Sequence, residues 1–304
     1  MKIAVCLINH NQNKFIESTI NKLNKQSKKP NEIFICSDDT PFDTSVENIT
    51  CINNTVLKGR CQNRNSVIPE FLESDNDAIV FIDGDSYPKK SDFLTKYDDL
   101  FEDNELVFGT RIHTDIKGLK LPPSDLLTAN MDNMWRGKDL NYSDLRVVSN
   151  AVKCWKESKT FNEKLDLMLT GMIGWSCNFG FTKKGLIKHL DFMKKVYKTK
   201  NEIFDSRAFH NNWGYEDVAM GLDALFAGLK IDISDDIKVV HNAHERTDGL
   251  FDHVAGRHLI MERARNLEKA KKTKNYVYTA MCILFGTYIV GIITGLITLA
   301  ISWQ

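Results

Sequence analysis

The sequence predicts an α/β fold built on a mostly parallel sheet, and three observations carry that prediction. Through residues 1–115, short apolar runs of strand type alternate with segments whose apolar residues recur at helical spacing, the pattern of strands joined by crossover helices. The runs stop at polar pairs: Asn9 and His10, Asp38 and Asp39, Asp83 and Asp85. Ligands of parallel sheets bind beyond the carboxyl ends of the strands, so three such tips predict a site as well as a fold. The third observation is size: 304 residues, 42% of them hydrophobic, supply an ample core for one large domain or two ordinary ones.

Taken in order, "KIAVCLI" is the first strand, and Phe15, Ile16, Ile20 and Leu23 follow at helical spacing. "NEIFICSDD" is a second strand ending in acids. "RCQNRNSVIPEFLES" reads as one helix with Cys61, Val67, Phe71 and Leu72 inward, and "DAIVFIDGD" as a third strand. A helix around Phe93 to Phe101 leads to a fourth strand, "LVFGTRIH". From Asp115 to Thr170 the pattern weakens and "LPPSD" breaks the chain. "GMIGWSCNFGFTKKGLIKHL" then gives a glycine-rich loop, a short strand and a helix. "NNWGYEDVAMGLDALFAGLKI" is a loop and a helix, with Val218, Leu222, Leu225 and Phe226 as its buried stripe and Gly228 closing it. "IKVVHNAHERTDG" is a strand whose end carries two histidines, and residues 252–274 predict a charged helix.

Charge is balanced, 40 basic residues against 40 acidic, which argues against a nucleic-acid partner. The seven cysteines are odd in number and lack zinc-type spacing. Cys6 and Cys36 sit inside apolar runs and read as reduced core residues of a reducing compartment. "KIAVCLINH" is too short and too polar for a secretory leader. The segment from Tyr276 to Trp303 carries no charge and exceeds the ~20 residues that span a bilayer. Tyr276, Tyr278 and Trp303 stand near its ends, and "KAKKTK" precedes it. The organisation expected is a catalytic domain over 1–250, a charged juxtamembrane linker over 251–275 and a transmembrane helix over 276–303. By the positive-inside rule the catalytic domain is then cytoplasmic, and the sequons at Asn48, Asn53 and Asn141 are accidental.

Four constellations carry chemistry. Asp83 and Asp85, separated by Gly84, end the third strand; residues two apart in a strand share a face, and a glycine between them leaves room for a ligand. Carboxylates so close repel unless something positive lies between them. A divalent ion there would bridge a diphosphate, although Asp-Gly-Asp is also an ordinary turn sequence. His241 and His244 end the last strand. An imidazole added to two carboxylates makes a mixed site that suits manganese better than magnesium; the bland alternative is a pair of surface histidines. Glu216 and Asp217 open a helix, where the dipole favours acids in any case, but a carboxylate there is also placed to deprotonate a hydroxyl. Trp175, Ser176 and Asn178 lie between glycines, as an aromatic platform for a sugar or as a core tryptophan in a tight turn.

The order of these pieces resembles the inverting glycosyltransferases of GT-A fold, most similar to family 2 and to the galactosyltransferase type whose carboxyl half carries "GWGxED". The resemblance spans roughly residues 2–246. It implies a Rossmann-like nucleotide-diphospho-sugar transferase domain, here followed by the transmembrane helix. It implies further that Asn9 and His10 lie by the nucleotide, that Asp38 or Asp39 contacts the base, and that Arg60 or Arg64 approaches the base or diphosphate. Asp83 and Asp85 would hold the metal-diphosphate, with His241 or His244 as the last metal ligand. Trp175 would line the acceptor site, Glu216 would bind acceptor, and Asp217 would be the general base. The cofactor implied is Mn2+, with Mg2+ as the alternative. The donor is a nucleotide-diphosphate sugar, most simply UDP-linked, and the acceptor a glycan, glycolipid or glycoprotein hydroxyl. Two departures stand out. The first strand ends "INHNQ" where Pro-x-Tyr or Pro-x-Asn is usual, and Tyr215 stands where glycine is common.

Two rival classes compete with this reading. A haloacid-dehalogenase-like phosphohydrolase also begins with hydrophobic-DxD, but on its first strand and with Thr or Val two residues after the second Asp, where Tyr87 stands here. A non-catalytic, membrane-tethered carbohydrate-binding protein would have little use for both carboxylate sets.

Overall fold

The computed structural model describes residues 1–54, 59–113, 151–169, 176–209, 215–242, 256 and 258–273. Contacts divide the chain into two units, Met1–Ile260 and Met261–Gln304. In the second, residues 261–273 are helical. Among the described residues no helix is long and apolar enough to cross a membrane; the span expected over 276–303 lies outside them.

The first unit runs β1 (Ile3–Asn9), α1 (Asn13–Asn24), β2 (Glu32–Ser37), β3 (Ile49–Asn53), α2 (Arg60–Asn65), α3 (Ile68–Glu73), β4 (Ala78–Asp83), β5 (Ser86–Pro88) and α4 (Phe93–Phe101). It continues with β6 (Leu106–His113), α5 (Phe161–Leu169), β7 (Asn178–Thr182), α6 (Lys183–Tyr197), α7 (Glu216–Phe226) and β8 (Ile231–His241). The described strands form one sheet in the order β3-β2-β1-β4-β7-β6-β8-β5. β1 pairs in parallel with β2 and β4, and β2 with β3. β7 runs antiparallel between β4 and β6, β8 is parallel to β6, and β5 is antiparallel to β8. The order 3-2-1-4 changes direction at β1, so the carboxyl ends of β1 and β4 flank the point at which an open sheet leaves a crevice.

Alternation along the strands builds a core on each face. Ile16, Ile20 and Leu23 of α1 and Phe93, Leu94, Tyr97 and Phe101 of α4 cover Val5, Leu7, Ile33, Ile35, Val80 and Ile82. Phe81, between Val80 and Ile82, points the other way and stacks on Phe179 with centroids 4.6 Å apart. Phe179 also meets Phe108, Phe181 and Phe204. This aromatic layer underlies the site.

The four strands and the helices expected from periodicity up to residue 113 are present. The helix expected over 60–74 is two, because Pro69 in the first turn of α3 has no N–H to continue a hydrogen-bond ladder. β3 and the three-residue β5 were not legible. The described cysteines, Cys6, Cys36, Cys51, Cys61, Cys154 and Cys177, are all free.

Asn178 departs from its expected place beside a sugar. It is wholly buried, and a Cβ on Gly109 would lie 2.1 Å from its amide nitrogen. That nitrogen donates to the carbonyls of Thr110 and Ile237 at 3.1 and 3.0 Å, and its oxygen accepts from the Tyr97 hydroxyl at 2.8 Å. The side chain thereby closes the register shift between Phe108 and Thr110 where β6 meets β8. Asn178→Ala leaves these buried groups without partners, at about 1–3 kcal/mol each. Calorimetry should show Tm falling on the order of 5–10 °C; an unchanged Tm would mean that the amide does not hold the bulge.

Candidate active site

The site is assembled from the ends of β1, β2, β4 and β8 and from the start of α7. Asp83 closes β4, and its backbone N–H donates to the Cys177 carbonyl at 3.4 Å. β4 ends at Asp83, so strand alternation does not extend to Asp85. The room expected at Gly84 for a ligand is filled by β1. The Gly84 N–H donates to the Ile8 carbonyl at 2.8 Å, and a Cβ there would lie 2.8 Å from that oxygen and 3.0 Å from Ile16 Cδ1. Asp85 instead turns towards the last strand, where β5–β8 pairing sets Ser86 opposite His241. Asp85 Oδ2 lies 3.2 Å from His241 Nε2. The Asn242 backbone and side-chain N–H groups donate to the Asp85 carbonyl at 2.8 and 3.0 Å.

Asp85 and His241 suit a divalent ion by donor set and by spacing. Adjacent ligands of one octahedral ion with bonds of about 2.1 Å stand about 3 Å apart, and an oxygen–nitrogen pair favours manganese over magnesium. Among the described residues no group of three or more His, Cys, Asp or Glu could hold a metal ion. His244 lies outside the described residues.

Arg64 lies deep within the site. Its Nη2 donates to Asp83 Oδ1 at 2.9 Å, and its Nη1 stands 3.7 Å from Glu216 Oε1. The guanidinium stacks over Phe204 at 5.5 Å. Burial opposes its charge, but the carboxylates of Asp83 and Glu216 outweigh that and raise its pKa. Glu216 is buried as well. Asp217, beside it, accepts from the Val218 N–H at 2.8 Å and from the Ser176 N–H at 3.4 Å. Burial, then the negative charge of Glu216, push the Asp217 carboxyl up to about 6. The backbone of Ser176 and Cys177 therefore ties Asp83 to Asp217.

Tyr215, immediately before these acids, has φ +64°, in the region that favours glycine and costs other residues of order 1–3 kcal/mol. A Cβ on Gly256 would lie 2.5 Å from the Tyr215 ring, so the ring packs where Gly256 leaves space. This strain falls at the position where the resembled family commonly has glycine.

On the other flank, Asn9 is buried. Its amide donates to Asn13 Oδ1 and Ser37 Oγ at 2.6 and 2.9 Å, and its oxygen accepts from the Gln12 N–H at 3.0 Å. It shapes the turn into α1. Asp38 is buried too, 2.8 Å from His10 Nδ1 through one oxygen and accepting from the Gly59 N–H at 3.0 Å through the other. The hydrogen bond to Asp38 raises the His10 pKa above its ordinary value despite partial burial. Asp39 and Arg60 are exposed, with Asp39 3.8 Å from His10 Nε2. Trp175 lies outside the described residues.

Sequence reasoning missed Asn63, whose amide donates to the carbonyls of Asn9 and Cys36, both at 3.0 Å, and so ties the tips of β1 and β2. It also missed Arg111 on β6. Burial raises the Cys177 thiol to about 12; Arg111 opposes that rise while Asp83 and Asp217 add to it, so Arg111 is a second cation near Cys177. A lone basic residue on an apolar strand carries no sequence signal of that kind.

The family model described as Glycosyl transferase family 2 matches residues 4–190. No curated protein matches the chain. Among solved structures, S. aureus TarS 1-349 in complex with UDP-GlcNAc is 14% identical with a TM-score of 0.48, covering 82% of this chain and 60% of that one. A mannosyltransferase, PcManGT from Pyrobaculum calidifontis, in complex with GDP-Man and Mn2+ is 12% identical with a TM-score of 0.47, covering 90% and 75%. Glucosyl-3-phosphoglycerate synthase from Mycobacterium tuberculosis is 14% identical with a TM-score of 0.45, covering 87% and 79%. The chain spans 37% of the longer TarS chain that it matches and 60% of the shorter.

Gly84→Ala should force the β4 turn away from β1. Overpacking of this kind costs about 1–3 kcal/mol, and the moved turn carries Asp85. Calorimetry should show a lower Tm and titration with Mn2+ a weaker affinity; both unchanged would contradict the packing described.

Proposed function

The chain belongs to glycosyl transferase family 2, and on that premise we propose that it is a metal-dependent, inverting glycosyltransferase with a nucleotide-diphosphate sugar, UDP-linked by preference, as donor. The observation that carries this reading is the meeting of a strand-tip carboxylate with imidazole, Asp85 with His241, on the same sheet end as the buried Glu216 and its neighbour Asp217.

In this reading His10, Asp39 and Arg60 face the nucleotide, while Asn9 and Asp38 hold the loops beneath it. Asp83, Asp85 and histidine hold a divalent ion, Mn2+ before Mg2+, with His244 as the alternative to His241. When bound, that ion offsets the charge that develops on the departing diphosphate. Asp217 takes the proton of the acceptor hydroxyl, which then attacks the anomeric carbon from the face opposite the diphosphate. Attack on that face inverts the configuration. Glu216 binds acceptor and Trp175 lines its site; the acceptor is a glycan, glycolipid or glycoprotein. The uncharged segment 276–303 tethers the catalytic unit to the cytoplasmic face of a membrane.

A carboxyl titrating at about 6 suits the base, since a base works best with a pKa near the working pH. The sign follows: only ionised Asp217 accepts a proton, so turnover should be level above pH 7 and fall as the pH drops through 6. Nucleotide sugars, beginning with UDP-GlcNAc and GDP-mannose, should be screened for Mn2+-dependent hydrolysis and thermal stabilisation. A donor that stabilises the protein only with Mn2+ is expected. Turnover indifferent to a chelator, or no donor at all, contradicts the proposal. Asp217→Asn should lower kcat on the order of 10²–10⁴-fold with donor stabilisation retained.

A further inference from the structure

Glu216 and Asp217 are adjacent acids in one site, and their surroundings differ. Glu216 is 5% exposed. Its nearest charge partner is Arg64, and its Oε2 is buried without a hydrogen-bond partner among the described residues. Asp217 has two backbone N–H donors and no direct cation contact among the described residues. Arg64 is the cation between the two walls: its other nitrogen is bonded to Asp83 at the end of β4. Around the guanidinium stand Asp83 from β4, Glu216 and Asp217 from α7, Cys61 from its own helix, Cys6 from β1, Cys177 before β7 and the ring of Phe204. Arg111 from β6 is the other cation near Cys177, and Asp205 and Arg60 lie near Cys61.

From this geometry we infer that Arg64 is a positioning residue: one buried guanidinium spans the donor-side carboxylate Asp83 and the acceptor-side carboxylate Glu216, so that Glu216 is charge-paired and Asp217 alone is left to take the proton. The inference rests on the proposed function for the identity of the reaction, but the pairing itself does not. A neighbouring negative charge raises a carboxyl's pKa unless a cation offsets that charge. A guanidinium presents its donors in a fixed planar fork that can address two carboxylates from separate nitrogens, whereas a lysine ammonium offers a single nitrogen on a shorter reach. Arg64 also donates to Asp83 through Nη2 alone, at 2.9 Å, leaving Nη1 towards Glu216. Occupation of the donor side that draws Asp83 away would leave the guanidinium to Glu216. The arrangement thus couples the two halves of the site through a single side chain.

The test is a carbon-detected NMR titration of the side-chain carboxyls in the unliganded protein, for wild type, Arg64→Lys, Arg64→Met, Glu216→Gln and Arg64→Met/Glu216→Gln. The upper apparent pKa, that of Asp217, should be about 6 in wild type. It should rise by about one unit or more in Arg64→Met, the low end of what an adjacent charge exerts. It should rise less in Arg64→Lys. In Glu216→Gln and in the double variant Asp217 should titrate below the wild-type value. If Arg64→Met does not fold, Arg64→Lys and Glu216→Gln decide the matter alone. An upper pKa equal to wild type in both Arg64 variants overturns the inference. The acid limb of turnover should move with the NMR value. Shifted NMR titrations with no sugar transfer by any form would leave the pairing standing and refute the function instead.

Discussion

The site depends on one constraint: several carboxylates converge on one end of a sheet, and burial makes their repulsion expensive. Arg64 is the structure's answer to the part of that charge lying between β4 and α7. Taking a guanidinium and two carboxylates out of water costs several kcal/mol per ion unless they face one another. Here the helix α2 delivers the cation from below, with the face of Phe204 beneath it and Asp83 and Glu216 on either side. Removing one member of such a set leaves an unpaired buried charge, which is why the parts cannot vary separately. At the neighbouring tip Asp85 meets the His241 imidazole at 3.2 Å.

A second layer of the design is made of amides. Asn9, Asn63 and Asn178 are all buried, and each bridges backbone or side-chain groups at the points where strands stop pairing. Asn63 ties the tips of β1 and β2; Asn9 turns the chain into α1; Asn178 closes the β6–β8 shift. Strand ends expose carbonyls that water would otherwise satisfy, and a primary amide carries two donors to meet two of them at once. The polar residues at the tips are therefore of two kinds. Buried ones hold the loops, and exposed ones such as Asp39 and Arg60 face outwards.

Much of this was legible in the sequence. Strands with continuous apolar runs and helices with a clear stripe declared themselves by periodicity; a meeting of Asp85 with a late histidine was implied only by the family resemblance, which left His241 and His244 open. What escaped detection depends on long-range partners. β3 is half-buried along its whole length, with residues of mixed polarity, and β5 is three residues long, so neither carries a period. Asp83 and Asp85 looked like one pair by strand alternation; β4 ends at Asp83, and the two side chains meet different partners, Arg64 and His241. Gly84 looked like space for a ligand, whereas the close approach is by the Ile8 carbonyl. Arg64 was visible as a basic residue on a helix; that it lies 3% exposed between two acids is a property of the fold, since Asp83 and Glu216 belong to different elements and Glu216 lies far along the chain.

The account's central claim is that the strand-tip carboxylates and the terminal histidine grip one cation against a nucleotide diphosphate. Pulsed electron paramagnetic resonance of the Mn2+-loaded protein with UDP reads this directly. The account predicts an imidazole nitrogen coupling that His241→Ala removes, together with phosphorus coupling from the nucleotide. A bound manganese coupled to phosphorus but to no protein nitrogen, or a nitrogen signal that survives loss of both His241 and His244, would contradict it.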